Sequence, residues 1–64
     1  MKYREVVKII SADGWVKVRQ DGDDAIFKKA GVRKNFTLRN VKGQDLTIGA
    51  IKNVERITGL PLRR

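Results

Sequence analysis

The fold follows from one stretch in the first half of the chain, Gly14-Trp15-Val16-Lys17-Val18-Arg19-Gln20-Asp21-Gly22, which continues through Ile26-Phe27-Lys28. The two valines of this stretch alternate with a lysine and an arginine, a period of two that is typical of a strand with one buried side. Asp21-Gly22 predicts a tight turn, because glycine accepts the positive φ that a hairpin requires. We therefore expect a strand over residues 15–20 that leads into a β-hairpin.

Two amphipathic segments flank this hairpin and predict helices. The first covers residues 2–12 and stops before Gly14, with apolar residues at the i, i+3, i+4 and i+7 positions of one helical face. These residues are Tyr3, Val6, Val7 and Ile10. The second covers residues 47–58, and its apolar stripe consists of Ile48, Ile51, Val54 and Ile57. Either Asp45 or Thr47 would cap it, and Gly59 before Leu60-Pro61 predicts a Schellman-type end.

Further strands are expected at residues 25–29 and 34–39, joined by a turn at 30–33, with Phe36 and Leu38 pointing inward. The apolar stripes of both helices need one common core. We therefore predict an α+β fold: a small α-β-β-β-α domain with a three-stranded antiparallel sheet and two helices on one face. The single domain is expected to span residues 1–60, with 61–64 as a short, frayed basic tail.

The charge is strongly positive and unevenly distributed. Fifteen Lys and Arg against seven Asp and Glu give a net charge of +8 on 64 residues, which attracts polyanions and makes nucleic acid the expected partner. Basic side chains that serve only solubility would give the same composition. However, residues 28–42 contain six basic side chains and no acid, directly after three aspartates at 21, 23 and 24 that we call the acidic tip. This segregation favours a binding surface.

Several protein classes are excluded by what the chain lacks. Without cysteine there is no disulfide and no thiolate metal site, as expected of a cytoplasmic protein. The apolar runs fall far short of the ~20 residues that span a bilayer, and no signal peptide is recognised, so no membrane partner is expected. No cofactor motif is present, and we expect no small-molecule cofactor.

The quoted stretch resembles the HicA family of ribonuclease toxins, whose pattern reads Gly-Trp-x-x-x-Arg-x-x-Gly-Ser-His-x-x-Phe-Lys. The likeness continues at Asp45-Leu46-Thr47-Ile48-Gly49-Ala50-Ile51-Lys52 and covers nearly the whole chain. It departs from the family at two places. Asp23-Asp24-Ala25 replaces Ser-His and its neighbour, and Arg39-Asn40-Val41 replaces a family Pro-x-His. The chain contains no histidine at all.

The resemblance implies a fold like that of double-stranded-RNA-binding domains, an mRNA interferase (endoribonuclease) activity, and an acidic HicB-like antitoxin as partner. It places Asp24 at the position of the family's histidine. Metal-free RNA cleavage needs proton donors and acceptors poised near neutral pH, which histidine provides with an ordinary pKa of about 6.5. An aspartate with a reference pKa of about 3.9 is a weak base, and the acidic tip repels phosphate. We therefore expect the ribonuclease activity to be lost or impaired.

The acidic tip could in principle hold Mg²⁺, but the remaining ligands of a calcium-binding loop are missing, and no metal site is predicted. Trp15 is interpreted as a lid on the edge of the core rather than as a base-stacking residue. Of the adjacent Ile26 and Phe27, one should be less buried. The basic residues expected to contact RNA phosphates are Lys17, Arg19, Lys28, Arg33, Lys34, Arg39 and Lys42.

Three functions remain open at this point. The first is a HicA-like RNA-binding toxin domain that is held by an antitoxin and does not cleave. The second is a non-enzymatic binding module, or an engineered variant, on the same scaffold. The third is an active nuclease that uses the Asp24 carboxylate.

Overall fold

The computed structural model describes residues 1–41 and 44–62, and this part of the chain contains two helices and three strands. In chain order they are α1 Tyr3–Ala12, β1 Val16–Asp21, β2 Asp24–Lys28, β3 Phe36–Arg39 and α2 Ile48–Thr58. The strands form one antiparallel sheet in the order β1-β2-β3. The predicted α+β fold and its element order are confirmed. None of the described helices is long and apolar enough to cross a membrane.

One hydrophobic core lies between the sheet and the two helices. Its buried side chains include Val6 and Ile10 from α1, Ile51 and Val54 from α2, Ala25 and Phe27 from β2, and Phe36 and Leu38 from β3. Phe27 and Phe36 are cross-strand partners, and their rings stack with centroids 5.6 Å apart. The inward orientation predicted for Phe36 and Leu38 is confirmed. Each such large side chain contributes about 1.5–3 kcal/mol through burial.

The first helix begins and ends through local hydrogen bonds. The backbone N–H of Lys2 donates to Glu5 Oε1 at 2.9 Å, which satisfies one of the free donors at the start of α1. At the other end, Gly14 adopts a φ of 102° and donates its N–H to the Ser11 carbonyl at 3.1 Å. Glycine accepts this positive φ without steric cost. The chain then turns directly into Trp15.

β1 differs from its prediction, because neither side of it is buried. Val16 and Val18 were expected on a buried side but are 60% and 54% exposed. β1 is an edge strand, and even the residues that pair with core positions, Lys17 opposite Phe27 and Gln20 opposite Ala25, are exposed. The helix layer therefore covers β2 and β3 but does not extend over β1.

A β-bulge at Val18 explains how Trp15 nevertheless reaches the core. The register runs from Arg19 opposite Ile26 to Lys17 opposite Phe27, so Val18 is an extra residue without a partner. Because side chains alternate along a strand, one extra residue inverts the face of every position before it. Lys17 and Trp15 consequently point to the helix side. Trp15 is 3% exposed, with its ring centroid 5.0 Å from that of Phe36.

The second helix is capped by Thr47 rather than Asp45. Thr47 Oγ1 accepts the N–H of Ala50 at 3.1 Å, whereas Asp45 forms a backbone bridge and a 3.0 Å ion pair with Lys2. The prediction that Ile48 belongs to the buried stripe is wrong, since it is 66% exposed. Each step of three residues turns a helix by about 300°, which is about 60° short of a full turn. Three such steps separate Ile48 from Ile57, so the two side chains lie about half a turn apart and cannot share one face.

The end of α2 also differs from its prediction in detail. Gly59 has a φ of 75° and donates its N–H to the Glu55 carbonyl at 2.8 Å. This is the single-bond αL motif, not the Schellman motif, because the N–H of Leu60 instead donates to Thr58 Oγ1 at 3.2 Å.

The tail expected at residues 61–64 is not frayed at Leu62. Its side chain is 4% exposed within the core, and its N–H donates to Glu55 Oε2 at 3.0 Å. Two basic residues of this predicted tail, Arg63 and Arg64, lie outside the described residues. Leu62 thus extends the packed part of the chain beyond residue 60.

Candidate nucleic-acid interface

The open face of the sheet is the one that the helices leave uncovered. Paired residues of neighbouring strands point to the same face, and the pairs Val16–Lys28, Arg19–Ile26 and Asp24–Arg39 all lie here. Three of the predicted RNA-binding side chains, Arg19, Lys28 and Arg39, therefore share one solvent-exposed surface.

Lys17 lies on the other side of the sheet. It pairs with Phe27, and its Nζ donates to Gln20 Oε1 at 3.2 Å. Strict alternation along β1 would place Trp15, Lys17 and Arg19 on a common side, but the bulge at Val18 puts Arg19 on the opposite side from the other two.

Two further members of the predicted set, Arg33 and Lys34, lie in the loop between β2 and β3 and are exposed. The loop starts with a turn in which the Val32 N–H donates to the Lys29 carbonyl at 3.1 Å. β2 thus lies one residue earlier than predicted, at the same length, and β3 begins two residues later than predicted. The last member, Lys42, lies outside the described residues.

Asp24 begins β2 and has a charged partner on each side. Its register partners are Asp21 in β1 and Arg39 in β3. Arg39 Nε lies 3.9 Å from Asp24 Oδ1, an ion pair too long for a hydrogen bond. The Asp24 side chain is 48% exposed, so solvent reaches this carboxylate while the guanidinium screens it from one side.

The acidic tip is closed by hydrogen bonds to its backbone. Gln20 Nε2 donates to the Gly22 carbonyl at 2.7 Å, and the Asn40 N–H donates to the Asp23 carbonyl at 2.8 Å. Arg19 Nη2 lies 3.5 Å from Asp21 Oδ2, with both side chains about two-thirds exposed. Within residues 1–41 and 44–62, no three His, Cys, Asp or Glu side chains are arranged to hold a metal ion.

This sheet carries basic side chains on its open face, and Asp24 begins β2 directly after the β1–β2 turn. The fold is the one that the sequence resemblance predicted. Comparison with protein families matches residues 3–60 to the HicA toxin of bacterial toxin–antitoxin systems. The chain belongs to the HicA toxin family. Comparisons with curated proteins and with solved structures gave no match. Membership in HicA implies a toxin–antitoxin system and an antitoxin partner.

The two departures from the HicA pattern meet in space. The sequence resemblance aligns Asp24 with the family's histidine and Arg39 with its proline, and in the structure the two residues are direct cross-strand partners. A carboxylate and a guanidinium in ionic contact thus occupy these two positions.

Three aromatic residues of this HicA chain, Trp15, Phe27 and Phe36, are core residues. The interpretation of Trp15 as a lid on the core is confirmed, and of the neighbours Ile26 and Phe27 the phenylalanine is the buried one, at 2% exposure. Trp15 Nε1 is buried and has no hydrogen-bond partner among the described residues. None of these rings is available on the open face to stack on a base.

Sequence reasoning missed the role of Lys29, which it counted only as part of the basic stretch. Lys29 Nζ lies 2.9 Å from Asp13 Oδ2, and both side chains are about one-third exposed. The stem of Lys29 also passes over Gly14. No local sequence pattern indicates this pairing, because Asp13 and Lys29 are sixteen positions apart.

A groove beside the N-terminus of α1 was also missed. It has a volume of about 690 Å³, and its lining includes Tyr3, Arg4, Asn40, Val41 and Gln44. Partial burial raises the pKa of the Tyr3 phenol above its ordinary value of 10.0. Val41, at the position of the second family histidine, contributes only an apolar wall to it.

Proposed function

We propose that this HicA-family domain binds RNA through its cationic surface without cleaving it. The observation that carries the proposal is the ion pair between Asp24 and Arg39 at the position of the family's histidine, in a chain that contains no histidine. The exposed basic side chains of the sheet and of the β2–β3 loop supply attraction for phosphates, while the proton-transfer group of the family is missing.

The chemistry of cleavage supports the proposal that binding persists without cleavage. Transfer of the 2′-hydroxyl proton requires a base whose pKa lies near the working pH, and protonation of the leaving 5′-oxygen requires a matching acid. Asp24 sits beside Asp21, its partner in β1, and near Asp23 in the turn. Negative charge at this place opposes the approach of a phosphate to within the few ångströms that general-base catalysis needs.

The antitoxin of this system is proposed to be an acidic, HicB-like chain that covers the basic surface. A net charge of +8 on 64 residues favours a partner with complementary charge, which accelerates association and adds salt-dependent affinity. RNA and antitoxin would then compete for the same cationic side chains.

The proposal is tested with the purified chain, a labelled RNA and a gel that reports both retardation and cleavage. Retardation without cleavage is expected at low salt. Cleavage by the unmodified chain that disappears in Asp24→Asn would instead establish carboxylate chemistry and contradict the proposal, as would absence of RNA binding at about 20 mM salt.

A restored histidine gives a sharper version of the test. In Asp24→His/Arg39→Pro the two family residues are returned to their cross-strand positions, and recovery of cleavage would show that the rest of the surface still presents RNA correctly. Asp23→His is the matched control, because it adds an imidazole one residue away in the turn. A repurposed binding module would remain inactive in both.

A further inference from the structure

We infer that phosphate binding is confined to one end of the sheet, the end that lies away from Asp24. This inference rests on the proposed RNA binding and specifies where on the surface it occurs. We call this region the basic end and define it by three exposed side chains: Lys28 in β2, and Arg33 and Lys34 in the loop that follows.

The basic end carries a surplus of unpaired positive charge. Lys28, Arg33 and Lys34 form no ion pair with any described residue, in contrast to most other cations of the sheet. The acid that contacts a lysine next to this end, Asp13, is already neutralised by Lys29 at 2.9 Å. Four basic residues, Lys28, Lys29, Arg33 and Lys34, therefore stand against one acid in this region.

The opposite end of the sheet carries more negative than positive charge. Its cations, Arg19 and Arg39, are both within ion-pair distance of aspartates of the acidic tip, at 3.5 Å and 3.9 Å. The tip itself holds three carboxylates, so among the described residues of these strands acids outnumber bases. A phosphate there would have to displace existing pairs.

Distance keeps the two ends electrostatically separate. Asp24 and Lys28 are the first and last residues of β2, and four steps of ~3.3 Å place them about 13 Å apart along the strand. This exceeds the Debye length of about 8 Å at physiological salt. An RNA strand held at the basic end is thus largely unaffected by the acidic tip, and position 24 does not touch its phosphates.

The ligand chemistry at this end is the sugar-phosphate backbone and not the bases. Single-strand readers gain about 1–3 kcal/mol for each base that stacks on an aromatic ring. The chain has four aromatic residues, of which Trp15, Phe27 and Phe36 are buried in the core and Tyr3 lies on α1. No ring is therefore available at the basic end.

Two double variants test the location, and each removes two exposed cations. Arg33→Gln/Lys34→Gln acts at the basic end, and Arg19→Gln/Arg39→Gln is the matched control at the other end. Binding of a fluorescent 20-nucleotide RNA is measured over a salt series. The loop variant should lower the log–log salt slope by about 1.4 and the affinity by about 25-fold at 0.1 M salt, because each single-strand phosphate contact contributes ~0.7.

The control variant should lower the slope by less than about 0.4. An equal or larger loss in Arg19→Gln/Arg39→Gln would overturn the inference. So would a several-fold gain in affinity in Asp23→Asn/Asp24→Asn, since that gain would mean that phosphates lie against the acidic tip. Oligouridylate and oligocytidylate of equal length should bind within about threefold, and a tenfold preference would show that bases are read.

Titration with pyrophosphate separates this inference from the proposed function. Backbone amide shifts in NMR spectra should move at Lys28, Arg33 and Lys34 and stay constant at residues 21–24. If the chain binds no RNA but shows this pattern, the RNA proposal fails while the location of the anion site stands. Shifts centred on residues 21–24 and 39 would refute the location whatever the outcome with RNA.

Discussion

The ammonium of Lys29 lies 2.9 Å from the Asp13 carboxylate and ties the end of β2 to the residue that follows α1. Among the ion pairs between described residues, this one has the least exposed side chains, about one-third exposed on each partner. It also fixes the turn that leads into Trp15, because the Lys29 stem covers Gly14.

Replacing Lys29 by methionine is therefore expected to lower the free energy of unfolding by about 1 kcal/mol, the upper range for partly exposed pairs. Methionine keeps most of the stem, whereas Lys29→Ala also loses its packing and should cost more. Urea unfolding followed by tryptophan fluorescence measures both. Lys28→Met removes a neighbouring, unpaired lysine and should stay within about 0.5 kcal/mol of the parent; a loss equal to that of Lys29→Met would contradict the assignment.

Two glycines of α2 allow a matched comparison, since Gly49 lies within the helix and Gly59 directly follows it. Gly59 adopts a φ of 75°, so Gly59→Ala should destabilise the fold by about 1–2 kcal/mol through left-handed backbone strain. Gly49 lies inside α2 with open space around its Cα, and Gly49→Ala should stabilise by about 0.5–1 kcal/mol. Thermal unfolding of the two variants should shift in opposite directions, and a stabilising Gly59→Ala would disprove the αL cap.

The unpaired indole N–H of Trp15 offsets part of the stability that its ring contributes. A buried donor without a partner costs about 1–3 kcal/mol, so Trp15→Phe should lose less than about 1.5 kcal/mol despite its smaller ring. Trp15→Ala removes the contact with Phe36 as well and should lose about 3–5 kcal/mol. Chemical denaturation monitored by circular dichroism distinguishes the two. Equal losses would mean that the N–H is satisfied in solution.

The pair between Lys2 and Asp45 predicts a dependence of stability on pH. The hydrogen bond and charge of Lys2 lower the pKa of Asp45 below its ordinary value of 3.8. Because the pKa of this carboxyl is lower in the folded than in the unfolded chain, the pair stabilises the fold at pH values above the unfolded pKa. This contribution is lost as the pH falls from about 4 through the lowered pKa. Asp45→Asn should thus be less stable than the parent at pH 6, with the difference vanishing in strong acid and in 1 M salt. A difference that persists at pH 2 would exclude the ion pair as its cause.

Much of the fold could be predicted because local signals agree with the final packing. The hairpin glycine at 22, the cap at Thr47 and the stop at Gly59 each satisfy backbone groups within a few residues. Periodicity also identified which side of α1 and of β3 is apolar, whereas for β2 it left open which of Ile26 and Phe27 is buried. Such signals report the side of an element, not whether another element covers it.

Coverage explains the main failure, which lies at β1, whereas Ile48 was wrongly included because three-residue steps drift around the helix. The valines of β1 alternate as in a half-buried strand, but the helices do not reach over this edge, and the bulge at Val18 has no sequence signal of its own. The burial of Leu62 was missed because it depends on packing after the end of α2, where the Leu62 N–H donates to the Glu55 side chain seven residues earlier. For the interface, composition identified the basic residues, whereas their division between two ends depends on the register.

The bulge at Val18 absorbs one surplus residue in β1. With Val18 removed, Lys17 opposite Phe27 and Arg19 opposite Ile26 would become consecutive pairs of a regular strand, and Trp15 would keep its side. Substitution or deletion of residue 18 should accordingly be tolerated, while insertion of one further residue without a second bulge would turn the indole of Trp15 into water.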